Sequence, residues 1–271
     1  MVVQHNLTAM NSNRMLGLTQ STQARSTEKL SSGYKINRAA DDAAGLSISE
    51  KMRNQIRGLN QAVKNSEDGI SLIQTAEGNM NEIHSILQRM GELAIKSRND
   101  VNASEDRRTI NDEIVQLKAE ISSITKKAEF NGTKLLNGDM SAGKMLQVGA
   151  NKGELMAISI KGTSLSNLGL TSTTVSTATG ASAAIGAIQS AIKNVSAQRS
   201  LLGAVQNRLE YTINNLENYS ENLTSAESQI RDTDMASEMV TFSKNQILQQ
   251  AAQSMLAQAN QSNQGVLSLL G

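Results

Sequence analysis

Residues Ile188–Ile230 read IQSAIKNVSAQRSLLGAVQNRLEYTINNLENYSENLTSAESQI. Every seventh position is aliphatic: Ile188, Val195, Leu202, Leu209, Leu216, Leu223 and Ile230. A strict seven-residue repeat keeps one narrow stripe on the same side of a slightly underwound α-helix, so the stripe must meet partner helices along its length. At about 1.5 Å per residue the seam runs roughly 60 Å, more than a compact globular core needs. The chain is therefore first of all a side-by-side helix-packing device.

A second seam at the same spacing passes through Met52, Leu59, Ser66, Ile73, Met80, Leu87 and Ala94. Its apolar flank lies four residues on at Ile56, Val63 and Ile70, then three residues on at Ala76, Ile83 and Met90. Such a shift predicts a long helix whose neighbours change along its length. Gly58, Gly69, Gly78 and Gly91 sit inside it, each costing about 1 kcal/mol against Ala unless another backbone approaches closely. A third helix is predicted from Ile110, Ile114, Leu117, Ile121, Ile124 and Ala128, with Ser104, Glu105 and Asp106 at its N-terminus. It should fold back on the second seam.

Beyond it the period changes. Asn131-Gly132 and Asn137-Gly138 mark turns, and Leu146 with Val148, then Met156, Ile158 and Ile160, alternate across GANKGE, which predicts a small β-hairpin region. Thr171–Ala184, TSTTVSTATGASAA, reads as a polar low-complexity link into the long helix.

Composition narrows the function classes. The 271 residues contain no proline, where ordinary usage would give roughly a dozen, so long helices are permitted almost everywhere. Aromatic residues make up 2%, too few for stacking platforms, and the net charge of +1 supplies no basic field for nucleic acid or an anionic membrane. Without cysteine there are neither disulfides nor thiolate metal sites. The opening MVVQHNLTAM lacks the basic and apolar regions of a secretory signal, and no stretch has the length of a membrane span. The expectation is a cytosolic protein, or one that leaves by a route reading no cleavable signal.

The two ends differ from the middle. Met1–Asn13 and Asn245–Gly271 carry no charged residue, yet both keep helical apolar spacing, as in Met235, Met239 and Phe242, then Leu248, Ala252, Met255 and Ala259. Uncharged ends rich in Gln, Asn and Ala are poorly held as isolated helices and are expected to order against copies of themselves. Residues 1–40 hold five basic and one acidic residue, and residues 232–271 one basic and three acidic, a mild preference for pairing the ends. Asp41-Asp42, beside Asn37, Arg38 and Gly45, reads as a cap and turn rather than acid/base chemistry. His5 and His84 lie on different segments and make no metal ligand set. The twelve methionines read as core filler.

Lys29–Leu46, KLSSGYKINRAADDAAGL, and Ser47–Gly78, SISEKMRNQIRGLNQAVKNSEDGISLIQTAEG, resemble the N-terminal signature of bacterial flagellin. Ala197–Leu216, AQRSLLGAVQNRLEYTINNL, Glu221–Met239, ENLTSAESQIRDTDMASEM, and the tail LQQAAQSMLAQANQSNQGVLSLLG resemble its C-terminal blocks. The resemblance implies a mainly α fold, a long antiparallel helical coiled-coil or bundle rod with a small β-hairpin region, whose terminal helices pair in a filament core. The expected organisation is an inner-tube helix and linker at 1–43, rod helices at 44–130 and a hairpin region at 131–170. A link at 171–184 would replace the variable outer domains found in many flagellins, followed by a long rod helix at 185–231 and a second inner-tube helix at 232–271. The rod seam would be Met52, Leu59, Ile73, Met80 and Leu87 with the row from Ile188 to Ile230. Leu7, Met10, Met239, Phe242, Leu248, Met255, Leu256, Leu267 and Leu270 would pack the inner tube.

Functionally, the resemblance implies a non-enzymatic, self-polymerising subunit of the extracellular flagellar filament, exported unfolded by the flagellar type III apparatus and needing no cofactor. The family's protease insert with its HExxH helix does not occur in this sequence. Expected partners are further copies of the chain, an export chaperone, the filament cap and hook-filament junction proteins, with no nucleic acid and no membrane. The patch around LQRMGELAI resembles the one read by Toll-like receptor 5, which places Gln88, Arg89, Glu92, Leu93 and Glu113 at the contact. Met90-Gly91 departs from the apolar residue and arginine of many sensed flagellins. The alternatives are a hook-filament junction protein or a minor filament subunit. A signalling coiled coil would need a membrane anchor or sensory domain, which this sequence does not show.

Overall fold

Heptad spacing and the absence of proline give five long helices in the computed structural model, which describes residues 6–270, with side chains through residue 262. In chain order they are α1 (Leu7–Ser32), α2 (Ala43–Arg98), α3 (Ser104–Lys127), α4 (Ala178–Arg231) and α5 (Met235–Leu270). Between α3 and α4 lie two short hairpins, β1 (Glu129–Phe130) with β2 (Thr133–Lys134) and β3 (Lys144–Gln147) with β4 (Leu155–Ile158). The chain divides into two compact units, residues 55–220 and residues 1–54 with 221–271.

Within residues 55–220, α2 and α4 run antiparallel. Ser220 donates to Asn60 at 3.1 Å, Arg199 pairs with Glu77 at 3.3 Å, and Gly91 lies against Ile188. Ile73, Ala76, Met80, Ile83, Leu87, Met90 and Ala94 are fully buried, and Ile188, Val195, Leu202 and Leu209 face them in the same core. α3 closes that core with Ile110, Ile114 and Ile121, while Leu117 and Ile124 pack at its edge. Its N-cap position is Ala103 rather than Ser104, and the Asp106 carboxylate accepts from the Ala103 N–H at 3.1 Å.

Asn131 and Gly132 both have positive φ, 47° and 74°, the geometry of a two-residue I′ turn, so β1 and β2 form a tight hairpin about the Asn131-Gly132 turn read from the sequence. The β3–β4 register, Lys144 opposite Ile158 and Gln147 opposite Leu155, turns Met156 and Ile158 into the core beside Ile160. Its loop is closed by Glu154, whose carboxylate accepts from the backbone and side chain of Asn151 and is thereby held below the usual glutamate range.

The expected link at 171–184 is shorter than its composition suggests, because α4 begins at Ala178. Thr177 caps it, accepting from the Gly180 N–H at 3.1 Å, and buried Ala181 and Ala184 carry the seam one heptad upstream of Ile188. The remainder is a pinned strap. Ser97 donates to the Val175 carbonyl at 2.6 Å, the Val175 N–H donates to Asn111 at 3.2 Å, and Lys118 donates to the Thr173 carbonyl. Burial holds the Lys118 ammonium below its ordinary pKa. Val175 itself is fully buried.

In the unit built from the two ends, α1 packs antiparallel on α5: Asn6 donates to the Ala259 carbonyl at 3.0 Å, and Lys29 lies 4.0 Å from Glu238. Gly33, at φ 76°, ends α1 in the left-handed region. The connectors then meet. The Arg231 carbonyl accepts from Lys35 N–H at 2.7 Å, the Gly33 carbonyl accepts from Thr233 N–H at 3.0 Å, and the Arg231 guanidinium sits 4.6 Å from the Tyr34 ring centre. Arg231 also pairs with Glu50 at 3.3 Å, and Arg53 lies 4.0 Å from Glu227.

Two glycines of α2 give opposite expectations. A Cβ on Gly58 would come within 2.9 Å of the Ala150 Cβ, so Gly58→Val should destabilise the chain by about 1–3 kcal/mol in urea unfolding. Gly78 has open space around it, so Gly78→Ala should stabilise by about 0.5–1 kcal/mol in the same measurement.

Candidate functional site

Helices α1 and α5 cover only part of their own apolar surface when they pair. Leu7, Met10, Met15 and Leu18 on α1 remain exposed, as do Met235, Met239, Val240, Ile247, Leu248 and Met255 on α5. Phe242 and Leu256 are half-buried, and the side chains of Leu267 and Leu270 lie outside the described residues. The reading of the methionines as core filler therefore needs correction. Met80, Met90, Met140 and Met156 are buried, but Met10, Met15, Met145, Met235, Met239 and Met255 face solvent. A flexible thioether suits an adaptable contact surface as well as a core. Deep in the same unit, Asn245 is buried and its side-chain nitrogen has no partner.

A second candidate surface lies where α2 faces α3. Arg89 is the hub: its guanidinium is 2.9 Å from Glu113 and 3.3 Å from Glu92, all three exposed. These hydrogen bonds raise its pKa, Glu113 contributing most. Gln88 lies beside them, its Nε2 3.1 Å from His84 Nε2. Leu93 is different. It is 3% exposed and forms the floor of a cleft of about 360 Å³ rimmed by Arg89, Glu92, Lys96 and Glu113. Leu87 and Met90 point into the core beneath.

Of the seam positions, Leu59, Ile73, Met80, Leu87, Ile188, Val195, Leu202, Leu209 and Leu216 are buried, while Met52, Leu223 and Ile230 are half-buried. Asp41 and Asp42 serve the backbone: Asp41 accepts from Asn37 and Arg38 N–H, and Asp42 accepts from Gly45 N–H at the start of α2. His5 lies outside the described residues. Among the described residues no group of three or more His, Cys, Asp or Glu could hold a metal ion, and no helix is long and apolar enough to cross a membrane.

Residues 3–141 match the model for the bacterial flagellin N-terminal helical region, and residues 185–270 match that for the C-terminal helical region. The chain belongs to the bacterial flagellin family. A flagellin from Halalkalibacterium halodurans is 54% identical, and a flagellar filament 31.3 kDa core protein from Treponema maltophilum is 47% identical, each alignment spanning 100% of both chains. The crystal structure of Bacillus cereus flagellin superposes with a TM-score of 0.52 at 29% identity, covering 56% of this chain and 88% of that one. Flagellin is a structural protein family, and its members build the flagellar filament. Residues 142–184, between the two matched regions, contain β3, β4, the strap and the first turns of α4, so this flagellin is a short form lacking the variable outer domains.

Sequence reading missed the core residues Leu135, Leu136, Met140, Leu168 and Leu170, all buried between the last turn of α3 and the strap. They follow no helical or strand period, so only the packing reveals them. Two outcomes test this subsection. Leu87→Ala should cost about 2–5 kcal/mol in thermal or urea unfolding, whereas Arg89→Ala should leave the unfolding midpoint unchanged. Backbone N–H donors from Arg38 and Asn37 hold Asp41 below its ordinary value. Its stabilising contribution is therefore complete above about pH 4 and lost as pH falls through the lowered value. Asp41→Ala should flatten the acid limb of the stability–pH curve.

Proposed function

We propose that this flagellin is the repeating subunit of a helical homopolymer in which neighbouring copies bury the exposed faces of α1 and α5. The observation that carries this reading is the number of large apolar side chains left exposed on the terminal pair, Leu7, Met10, Met15 and Leu18 with Met239, Ile247, Leu248 and Met255. Burying these side chains against further copies supplies the drive for association.

The subunit travels as an unfolded chain through the flagellar type III apparatus, handed on by an export chaperone, and refolds under the filament cap beyond the hook-filament junction proteins. The lack of proline and cysteine supports this route, since neither slow isomerisation nor disulfide exchange would delay refolding at the growing end. The exposed Arg89, Glu92 and Glu113 with Gln88 supply a contact for Toll-like receptor 5, and Leu93 acts by supporting that surface from below.

Purified monomer given short filament seeds should convert to sedimentable filaments visible by electron microscopy, and a truncation lacking Asn245–Gly271 should remain monomeric. If both stay as discrete particles, the junction-protein alternative replaces this reading. For the receptor contact, soluble monomer should bind the receptor ectodomain and Arg89→Ala should weaken that binding; undetectable binding by the unaltered chain would remove the receptor from the account.

A further inference from the structure

Two Asn-Gly pairs lie between α3 and the β3–β4 hairpin, Asn131-Gly132 and Asn137-Gly138. In such a pair the chain can attack its own side chain, because glycine puts no Cβ beside the backbone nitrogen that acts as nucleophile. That nitrogen reaches the Asn Cγ, closing a five-membered ring, only when the Asn backbone rotates until the nitrogen eclipses the Asn Cβ. A hydrogen bond to the Gly N–H or to the Asn amide opposes the rotation.

The fold holds the two pairs differently. Asn131, at φ 47°, and Gly132, at 74°, are fixed in the I′ turn between the paired residues Phe130 and Thr133. Rotating Asn131 out of the left-handed region breaks the β1–β2 pairing, beside which Leu135 N–H donates to the Ala128 carbonyl at 3.0 Å, so reaction there must wait for local opening. Asn137 stands outside both hairpins, is exposed, and is not among the residues of positive φ. Among the described residues its side chain makes no hydrogen bond, and the Gly138 N–H donates none. The neighbouring bonds use carbonyls instead. That of Leu136 accepts from Thr163 N–H at 2.9 Å, that of Gly138 from Ser141 N–H at 3.0 Å, and that of Met140 from Ile160 N–H at 3.2 Å.

We propose that Asn137 is a site of spontaneous deamidation in the folded chain, while the hairpin protects Asn131. Gly138 N gives up its proton to solvent and attacks Asn137 Cγ. The Cγ–Nδ2 bond breaks, and Nδ2 leaves as ammonia after taking up a proton. Water then opens the cyclic imide at one of its two carbonyls, giving Asp by one route and isoaspartate by the other. One water is consumed, one ammonia is released, and nothing is oxidised or reduced. Asn137 lines a cleft of about 680 Å³ together with Ser141, Lys161, Thr163 and Asn194, and no carboxylate lines it. Either product places an acid in the same cleft as Lys161. The isoaspartate product also lengthens the backbone by one methylene between the anchored carbonyls of Leu136 and Met140.

The test incubates the full chain, folded, in mildly alkaline buffer and follows both positions by mass-spectrometric peptide mapping that separates Asp from isoaspartate. Both products should form at position 137, at least about tenfold faster than at position 131. In denaturing urea, where neither pair is held, the two rates should converge to within about threefold. N137Q, whose side chain would have to close a six-membered ring, should lose the product at 137 and leave the slow reaction at 131 and the helicity by circular dichroism unchanged. Equal rates at the two positions in the folded chain, reaction at 137 only after unfolding, or Asp without isoaspartate would overturn the proposal.

Discussion

Burial of aliphatic side chains at heptad spacing is the constraint on which the rest depends. In residues 55–220, Ile73, Met80 and Leu87 of α2 meet Val195, Leu202 and Leu209 of α4, and α3 closes the open side with Ile114 and Ile121. A row of this kind tolerates few departures, because each position repeats the same packing problem one heptad on. The small elements are fitted to the row. The β3–β4 hairpin approaches α2 at Gly58 and Gly69, where a side chain would collide with Ala150 or Leu146, and the strap from Thr171 to Thr177 is tied across α2 and α3 by Ser97, Asn111 and Lys118.

The terminal unit follows a different rule. Its helices are long but lack the uninterrupted aliphatic row, and their apolar residues are spread around the surface rather than gathered on one stripe. Pairing α1 with α5 satisfies part of that surface, together with the Asn6–Ala259 bond and the Lys29–Glu238 pair, and leaves the remainder exposed. The connectors joining this pair to α2 and α4 are fixed by backbone bonds between Gly33 and Thr233 and between Lys35 and Arg231, reinforced by Arg231 over Tyr34. In the polymer we propose, further copies complete the burial that a single chain leaves unfinished.

How much of this was legible in the sequence depends on periodicity. The helices α2, α3 and α4 were readable because Leu59, Ile73, Ile110 and Val195 recur at three, four or seven residues, and the Asn131-Gly132 turn because that dipeptide favours positive φ. Leu135, Leu136 and Met140 were not readable, since an irregular segment buries its residues through its neighbours and not through its own period. The strap and the start of α4 were misjudged because Ser, Thr and Ala suit both a loop and a capped helix, and the Thr177 cap decides between them. For the surfaces, the family resemblance singled out Arg89, Leu93 and Glu113, and the structure adds that Arg89 pairs with Glu113, that Leu93 is buried and that most of the terminal methionines face solvent.

Hydrogen exchange on monomer and filament, compared segment by segment, tests the central claim most directly. The account predicts that Ile73–Ala94, Ile110–Ile124 and Ile188–Leu209 are already protected in the monomer, and that assembly adds strong protection over α1 and α5. Equal protection of α1 and α5 in both states, or a gain confined to α2–α4, would contradict it.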